Sequence, residues 1–427
     1  MKVALVNPAW SFDGSIYFGC RSPHLPLELG TAQRLLRDAG HSTLLLDAHL
    51  FALTSGDIAA ELRAFRPDMT VVTTAPTYLF WRCAPPELRV PQELIRAIRD
   101  EASFLVAVGP HGSTTPRMAL RKLDIDLIVM GECEETLLRL ANGARNIAGT
   151  CFREGRDIRV LGGPQAAAFI DQPALTWPDD MIRRHHHHHH RFDAEPIGPG
   201  AEVEASRGCP YSCTFCAKEN FRNKYRRRPA ETVLREIALL QEQGVEYIYF
   251  IDEIFLPNEG LLWGLVGRGL KFGVQTRIDL WKPEMLRLLG RAGCVSVECG
   301  VESLTVEGRE ALAKRCRMST EQLADRLIEA KRHIPFVQAN LIEVPHDQDE
   351  VVQHWRARMQ SAGVWANDPV PLFPYPGSPD YRRLWGEADD QAWERAHEHY
   401  LSLFDQFSDV QDQRPRQLRE LEAEAAR

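Results

Sequence analysis

The chain has 427 residues, which is too long for one ordinary hydrophobic core and therefore predicts at least two domains. Hydrophobic residues make up 44% of it and charged residues 26%, as in globular proteins generally, and the formal net charge is −8. A negative surface does not favour contacts with nucleic-acid phosphates or anionic lipids. The sequence has neither a signal-peptide pattern after Met1 nor an apolar run of roughly 18 residues. We therefore expect a cytoplasmic protein that binds neither nucleic acid nor a membrane.

The first part of the chain alternates short apolar runs with amphipathic helical patterns. The expected strands are Val3–Val6, Ser42–Leu46, Met69–Thr73, Phe104–Val108 and Leu127–Met130. This alternation predicts an α/β domain over residues 1–165, with a doubly wound, Rossmann-like parallel sheet and helices on both faces. A small ligand would bind in the crevice at the carboxyl ends of the strands.

Residues 166–200 have little periodicity and are rich in proline and aspartate, which is typical of a linker. Six consecutive histidines, His185–His190, lie within this segment. Two interpretations stay open, an engineered tag and a native histidine-rich loop. Histidine-rich tracts bind metal ions, but a tract alone does not indicate catalysis.

A second alternation of strands and helices begins after the linker. The expected strands are Val203–Ser206, Tyr247–Ile251, Phe272–Arg277, Val295–Gly300, Val337–Val344 and Val370–Phe373. Six such units over residues 201–380 predict a partial (βα)6 barrel whose ligands bind at the carboxyl ends of its strands. Residues 381–427 are charged and helical, and we expect them to form an extension that caps the barrel.

Three of the ten cysteines cluster directly after the first expected barrel strand, as Cys209-x3-Cys213-x2-Cys216. In a reducing compartment such a cluster indicates metal or redox chemistry rather than disulfides. Three thiolates on one loop suit a 4Fe-4S cluster, whose fourth iron would stay open for an external ligand. A zinc site with a distant fourth ligand is an alternative, although this spacing is unusual for zinc. A redox dithiol is a further alternative.

The motif Cys209-x3-Cys213-x-Phe215-Cys216 resembles the signature of the radical S-adenosylmethionine (SAM) superfamily. The resemblance implies a 4Fe-4S cluster on the three cysteines, SAM as cosubstrate, and the ring of Phe215 lying against the adenine. It also implies a small-molecule substrate and an electron donor such as flavodoxin or ferredoxin. Further motifs match in order along the barrel, and the SAM-binding positions that they imply are Asp252, Glu253, Arg277, Glu302, Ser303, Gln338 and Asn340.

These later matches have structural alternatives. Asp252 and Glu253 could cap the helix that follows them, and Arg277 could pair with Glu302 in a salt bridge. Each match is weak alone, whereas their order after the three-cysteine motif favours the superfamily.

The first domain resembles the cobalamin-binding domain that precedes many radical SAM barrels. The similarity lies in Val108-Gly109-Pro110-His111-Gly112 and in the segment Val129–Thr136. The chain lacks an Asp-x-His-x-x-Gly motif, so no side chain stands out as a cobalt ligand. The resemblance predicts the fold and leaves cobalamin binding open.

A closer resemblance suggests a specific reaction. The histidine-rich linker, Ile251–Asn258 and Cys299–Ser303 are similar to a small subfamily that includes an arsinothricin-biosynthesis enzyme. This similarity implies transfer of the 3-amino-3-carboxypropyl group of SAM to arsenic(III), with Cys294 and Cys299 as candidate thiolates for arsenic. The subfamily carries a cysteine-rich C-terminal segment, whereas no cysteine follows Cys316 here.

Two other functions remain open. One is cobalamin-dependent methyl transfer, in which a 5′-deoxyadenosyl radical removes a hydrogen atom and methylcobalamin donates the methyl group. The other is a non-enzymatic sensor or scaffold that binds the cluster. The sequence alone does not distinguish which carbon–sulfur bond of SAM is broken.

Overall fold

The structure is a computed structural model of the chain. It describes residues 1–16, 21–76, 84–168, 172–185, 199–403 and 414–424. No helix within these ranges is both long and apolar enough to span a membrane.

The N-terminal domain is a seven-stranded sheet in the order β2-β1-β3-β4-β5-β6-β7. Its strands are β1 (Lys2–Asn7), β2 (Ser42–Asp47), β3 (Met69–Thr73), β4 (Leu105–Val108), β5 (Leu127–Val129), β6 (Thr150–Glu154) and β7 (Asp157–Leu161). The first five strands are parallel, which confirms the predicted Rossmann-like sheet. The antiparallel hairpin β6–β7 was not predicted from the sequence, because its strands are short and half exposed.

Helices connect the strands of this domain. They are α1 (Leu27–Asp38), α2 (Ala48–Phe51), α3 (Ser55–Phe65), α4 (Arg89–Ile98), α5 (Pro110–Thr114), α6 (Pro116–Leu123) and α7 (Glu134–Ala141). The buried faces of these helices and the apolar strands form one continuous core, in which Leu29, Leu62 and Leu120 are fully buried. The alternation of buried strands with amphipathic helices thus gives the expected α/β layering.

The predicted linker contains ordered structure where it is described. Helix α8 (Asp179–Arg184) lies in it, and Trp177 and Ile182 are buried in the core of the barrel. His185 is also buried, so the first histidine of the run belongs to the fold. The other five histidines, 186–190, lie outside the described residues.

The second domain is a six-stranded parallel sheet in the order β15-β14-β13-β12-β11-β8, which confirms the partial barrel. Its strands are β8 (Gly200–Val203), β11 (Tyr247–Phe250), β12 (Lys271–Thr276), β13 (Cys294–Glu302), β14 (Phe336–Leu341) and β15 (Trp365–Ala366). Two further short strands, β9 (Ser206–Arg207) and β10 (Arg226–Arg227), pair with each other. The barrel helices are α9 (Ala230–Glu242), α10 (Glu259–Leu265), α11 (Pro283–Arg291), α12 (Val306–Ala311), α13 (Thr320–Lys331) and α14 (Asp349–Ser361).

Two strand predictions were wrong in position. The first barrel strand ends at Val203 instead of beginning there, because the chain turns away to form β9. The last strand is β15, and Val370 makes only an isolated bridge with Ile342. Val370 lies between two prolines, which have no backbone N–H for a sheet ladder.

The C-terminal extension is helical, as expected, and comprises α15 (Pro379–Trp385), α16 (Ala392–Leu403) and α17 (Leu418–Glu424). Helix α16 packs on the N-terminal domain, whereas the start of α15 contacts the barrel, where Asp380 N donates to Thr214 O, so the expected cap on the barrel is met by α15 and not by α16. The indole N–H of Trp393 donates to Thr115 Oγ1 at 3.1 Å, and its ring centre lies 4.5 Å from that of His111. Trp393 and Tyr400 join the hydrophobic core of the first domain.

Candidate functional site

The three-cysteine motif lies on a loop that is closed at its base. Strand β9 pairs antiparallel with β10, with Arg207 opposite Arg226, so residues 208–225 form a long excursion from the sheet. Gly208 begins this loop with φ +80°, a conformation that favours glycine. A Cβ atom there would lie 2.1 Å from the carbonyl oxygen of Lys224. The close approach of the two loop ends therefore requires glycine at this position.

Backbone contacts hold the cysteine loop against the end of α12 and the start of α15. Thr214 N donates to Leu312 O at 3.0 Å, and Asp380 N donates to Thr214 O at 2.9 Å. Inside the loop, Cys216 N donates to Cys213 O at 3.2 Å. The ammonium of Lys218 donates to Cys209 O at 2.7 Å. The loop is thus fixed by its own backbone and by two neighbouring helices.

All three cysteines of the loop are free thiols of intermediate exposure. Burial raises the pKa of Cys209 and of Cys213, and it raises the pKa of Cys216 to about 12. Thiols in such a setting are protonated near neutral pH. Ligation of a metal cluster would reverse this preference, because a cation stabilises the thiolate.

Asp252 and Glu253 hold the base of the cysteine loop. Asp252 is buried, and it accepts hydrogen bonds from Ala205 N at 2.8 Å and from the hydroxyl of Ser206. Glu253 accepts from Gly208 N at 2.8 Å. Neither residue caps the next helix, since the N-cap of α10 is Asn258. Burial raises the pKa of Asp252 to about 7.

Arg277 follows strand β12 and points toward the cysteine loop. It forms a bidentate ion pair with Asp279, at 3.1 and 2.8 Å, rather than the alternative pair with Glu302. Its guanidinium carbon lies 4.1 Å from the ring centre of Tyr211, which belongs to the loop. Its Nη1 atom is buried and has no hydrogen-bond partner among the described residues. A buried N–H of this kind fits an anionic ligand such as a carboxylate.

Glu302 pairs with Lys314, a residue that the sequence analysis missed. Glu302 lies at a bulge between β13 and β14 and has φ +64°. The Lys314 side chain is almost fully buried, and its charge acts on Cys213 to lower the thiol pKa, against the larger effect of burial. No motif surrounds Lys314, so only the folded structure reveals its place beside the loop.

The hydroxyl of Ser303 is engaged in a hydrogen bond within the protein. It is fully buried, its Oγ donates to Asp347 Oδ1 at 2.9 Å, and its carbonyl accepts from Arg309 Nη1 at 2.8 Å. Asp347 also accepts from Leu304 N at 3.0 Å. Ser303 therefore fixes the turn after β13.

Gln338 and Asn340 lie on one face of β14, because side chains alternate along a strand. They are in register with Glu298 and Gly300 of β13, and the amide of Gln338 donates to Asn340 Oδ1. Tyr249 of β11 donates to Glu298 Oε1 at 3.3 Å, so this polar face extends across the sheet. We call the face formed by Tyr249, Glu298, Gln338 and Asn340 the polar barrel face.

The two candidate arsenic thiols are not brought to the cysteine loop. Cys299 is in register with Thr276 and Ala339, on the side of β13 opposite the polar barrel face, and it is fully buried in the hydrophobic core. Cys294 begins β13, at the end of the strand away from the loop, and its thiol donates to Ser296 O at 3.2 Å. Both cysteines are packed as small apolar residues.

A buried network of charges joins the cysteine loop to the N-terminal domain. Its carboxylates are Glu28 in the first turn of α1, Glu132 and Glu134 after β5, Glu204, and Glu253. Its guanidinium groups are Arg207, Arg222 and Arg226. Arg207 Nη1 lies 2.5 Å from Glu134, and Arg222 Nη2 lies 2.9 Å from Glu28. The first turn of α1 and the segment after β5 lie at the carboxyl edge of the first sheet. Their salt bridges to Arg222 and Arg207 therefore bring this edge against the cysteine loop.

The family comparison agrees with the cysteine motif and the parallel barrel. The model of the radical SAM superfamily matches residues 203–355. Residues 203–355 therefore resemble a radical SAM domain. The match begins at the end of β8 and includes the cysteine loop and the strands up to β14.

Relatives extend the similarity to both domains. An uncharacterized methyltransferase of Pyrococcus horikoshii is 24% identical over 401 residues, which cover 90% of this chain and 82% of that protein. An anaerobic magnesium-protoporphyrin IX monomethyl ester cyclase of Cereibacter sphaeroides is 27% identical over 77% of this chain, which spans 55% of the cyclase. These relatives carry different names, so identity at this level does not fix the reaction.

A solved structure shares the two-domain fold. The radical SAM methyltransferase TsrM from Kitasatospora setae, with cobalamin and a 4Fe-4S cluster bound, superposes with a TM-score of 0.69 at 20% identity. The match covers 88% of this chain and 76% of TsrM. It shows that a Rossmann-like domain followed by a radical SAM domain is a fold shared with that enzyme.

Proposed function

We propose that this chain is a cobalamin-dependent radical SAM methyltransferase that holds a 4Fe-4S cluster on Cys209, Cys213 and Cys216. The proposal rests on the contact between the carboxyl edge of the Rossmann-like sheet and the cysteine loop, because ligands usually bind at such edges. Arg207, reaching Glu134, brings the carboxyl edge of the Rossmann-like sheet against the cysteine loop. A corrin bound at the first edge would therefore face a nucleotide bound at the second.

The three cysteines would ligate three irons and leave the fourth open to SAM. Arg277 is suited to bind the carboxylate of SAM, since its Nη1 atom is buried without a partner among the described residues. Phe215 is half-buried on the loop, where its ring would lie against the adenine. The polar barrel face offers amide and carboxylate groups to the ribose and to a small-molecule substrate.

The other predicted SAM-binding residues would position the neighbouring backbone instead of contacting SAM. Asp252 and Glu253 accept from backbone N–H groups at the base of the loop, and the hydroxyl of Ser303 donates to the Asp347 carboxylate. Glu302 is paired with Lys314, and this pair lies beside Cys213. We assign Asp252, Glu253 and Glu302 to holding the cluster loop in place.

Cobalamin, when bound, would supply the methyl carrier. His111 is not placed to ligate cobalt, because its Nε2 lies 2.9 Å from Pro85 O and its Nδ1 lies 3.3 Å from Thr74 Oγ1. The ring also packs on Trp393. His111 would therefore supply no cobalt ligand to a corrin bound at this edge.

Transfer of the aminocarboxypropyl group to arsenic(III) is a finer hypothesis from sequence resemblance. Neither the relatives nor the buried positions of Cys294 and Cys299 support it. Both reactions use the same cluster and cosubstrate, so the product of SAM cleavage distinguishes them. An electron donor such as flavodoxin or ferredoxin remains a prediction in either case.

The test is anaerobic incubation of the reconstituted enzyme with SAM, a strong reductant and hydroxocobalamin, followed by mass detection of the nucleoside products. Loss of a methyl group leaves S-adenosylhomocysteine, and hydrogen abstraction leaves 5′-deoxyadenosine. We expect 5′-deoxyadenosine that disappears in Cys213→Ala, and S-adenosylhomocysteine that depends on added cobalamin. The matched control is Cys151→Ala, a buried cysteine in β6, which keeps the activity.

An arm with arsenite tests the second hypothesis. Detection of methylthioadenosine together with an arsenic-containing amino acid would favour aminocarboxypropyl transfer over the proposed methyl transfer. No cleavage product from a protein with a full cluster would favour the sensor or scaffold.

A further inference from the structure

Three buried side chains from separate segments converge where the two domains meet. His24 precedes α1, His185 follows α8, and Glu202 lies on β8. His24 Nδ1 lies 2.7 Å from Glu202 Oε1, and His185 Nε2 lies 3.3 Å from Glu202 Oε2. One ligand atom from each of the three lies within 4.8 Å of the others, which is close enough for a single metal ion.

The hydrogen bonding of His185 leaves Nε2 facing the Glu202 carboxylate, as either a metal ligand or a protonated donor. Its Nδ1 lies 2.7 Å from Gly200 O, and because a carbonyl oxygen only accepts, Nδ1 must carry a proton. In the neutral ring Nε2 then has a lone pair directed at the Glu202 carboxylate. Two acceptors face each other unless a cation lies between them or the ring takes a second proton. A backbone carbonyl on Nδ1 is also the usual partner of a metal-bound histidine.

A second, independent observation comes from Asp47 at the end of β2. Its carboxylate is buried and interacts electrostatically with His185. Asp47 Oδ1 accepts from Asn7 Nδ2 at 2.9 Å and from Leu50 N at 3.1 Å, whereas Oδ2 is buried without a hydrogen-bond partner among the described residues. Two buried carboxylates near two imidazoles require a compensating positive charge, which a metal ion or a proton can supply.

We propose that His24, His185 and Glu202 bind one zinc ion that ties the N-terminal domain to the first barrel strand. Two imidazole nitrogens and one carboxylate are ligands that zinc accepts, with a fourth position left for water. The site uses none of the three cluster cysteines. The first histidine of the six-histidine run thereby has a role separate from the rest of the run.

The experiment must separate this site from the neighbouring histidine tract, which would itself bind zinc. We would replace residues 186–190 by serine in the full-length protein, keep His185, and reconstitute the iron–sulfur cluster anaerobically. Zinc and iron are then measured by mass spectrometry after dialysis. Variants in this background are His185→Gln, His24→Gln and Glu202→Gln. The matched control is His354→Gln, an exposed histidine on α14.

We expect about one zinc per chain in the five-serine background and in His354→Gln, and at least a tenfold weaker affinity for zinc in the other three variants. Chelation of zinc should also lower the melting temperature of the background protein, which tests the site if a ligand variant fails to fold. No retained zinc in the background, or equal zinc binding in His24→Gln, would overturn the proposal and leave a protonated histidine paired with Glu202.

Discussion

Replacing Arg207 should destabilise the contact between the two domains and lower the melting temperature, because this residue lies at the centre of the buried charge network. Arg207 is fully buried and contacts Glu132, Glu134 and Glu204. In Arg207→Met two of these carboxylates keep another cation, since Glu132 also pairs with Arg226 and Glu204 with Arg222. Glu134 keeps none among the described residues, and its Oε2 already lacks a hydrogen-bond partner there.

The expected cost follows from that single uncompensated charge. Removing one partner of a buried ion pair costs about 3–5 kcal/mol. A unit of 150–250 residues shifts its melting temperature by roughly 2–4 °C per kcal/mol, so we expect a fall of about 6–20 °C. Adding Glu134→Leu to Arg207→Met removes the stranded carboxylate and should recover most of the loss. The pair Arg63–Glu101 gives the control, because 66% of the Arg63 side chain is exposed and Arg63→Met should cost less than about 1 kcal/mol.

The assay is thermal unfolding followed by near-ultraviolet circular dichroism, with iron content measured before each scan. A melting temperature of Arg207→Met equal to that of Arg63→Met would refute this expectation. The expectation also fails if Glu134→Leu brings no recovery, because the stranded charge would then not be the cause.

Three further predictions concern the loop, the nucleotide and pH. Gly208→Ala should bind little iron on anaerobic reconstitution, because its Cβ would lie 2.1 Å from Lys224 O. The control is Gly244→Ala, where a Cβ has open space and the iron should be retained. Full iron content in Gly208→Ala would contradict the closed loop base. Phe215→Ala should weaken SAM binding by about 1–2 kcal/mol in calorimetry with unchanged iron, and loss of iron with unchanged affinity would indicate packing instead. Burial lowers the pKa of His111 from 6.5 to about 3, so its contribution to stability is present above pH 6.5 and is lost as the pH falls toward 3. His111→Gln should therefore show a shallower decline of melting temperature between pH 7 and pH 4, and an equal decline would refute this assignment.

The fold was largely predictable because buried parallel strands have a strong local signature. Strands such as Leu105–Val108 and Leu127–Val129 are fully buried, and their sequences are continuous apolar runs. The hairpin β6–β7 was missed because its outer residues are exposed and polar. The last barrel strand was misplaced because β15 has only two residues, while the apolar segment around Val370 is interrupted by prolines.

The candidate site was predictable only where one short segment carries the chemistry. Cys209, Cys213 and Cys216 lie on one loop, so their spacing alone indicates a cluster. Contacts between distant segments leave no such pattern, and the pairs Glu302–Lys314 and Arg222–Glu28 appear only in the folded chain. Sequence order also does not distinguish a ligand contact from a structural one, as Asp252 and Ser303 illustrate.

The central claim is that one loop of three cysteines holds a 4Fe-4S cluster with an iron open to SAM. The most direct measurement is iron and sulfide content after anaerobic reconstitution, with electron paramagnetic resonance of the reduced protein before and after SAM is added. We predict about four irons per chain and a signal that changes with SAM. Cys209→Ala, Cys213→Ala and Cys216→Ala should each lose the cluster, and Cys151→Ala should keep it. A full cluster in all three loop variants, or a signal that SAM leaves unchanged, would contradict the account.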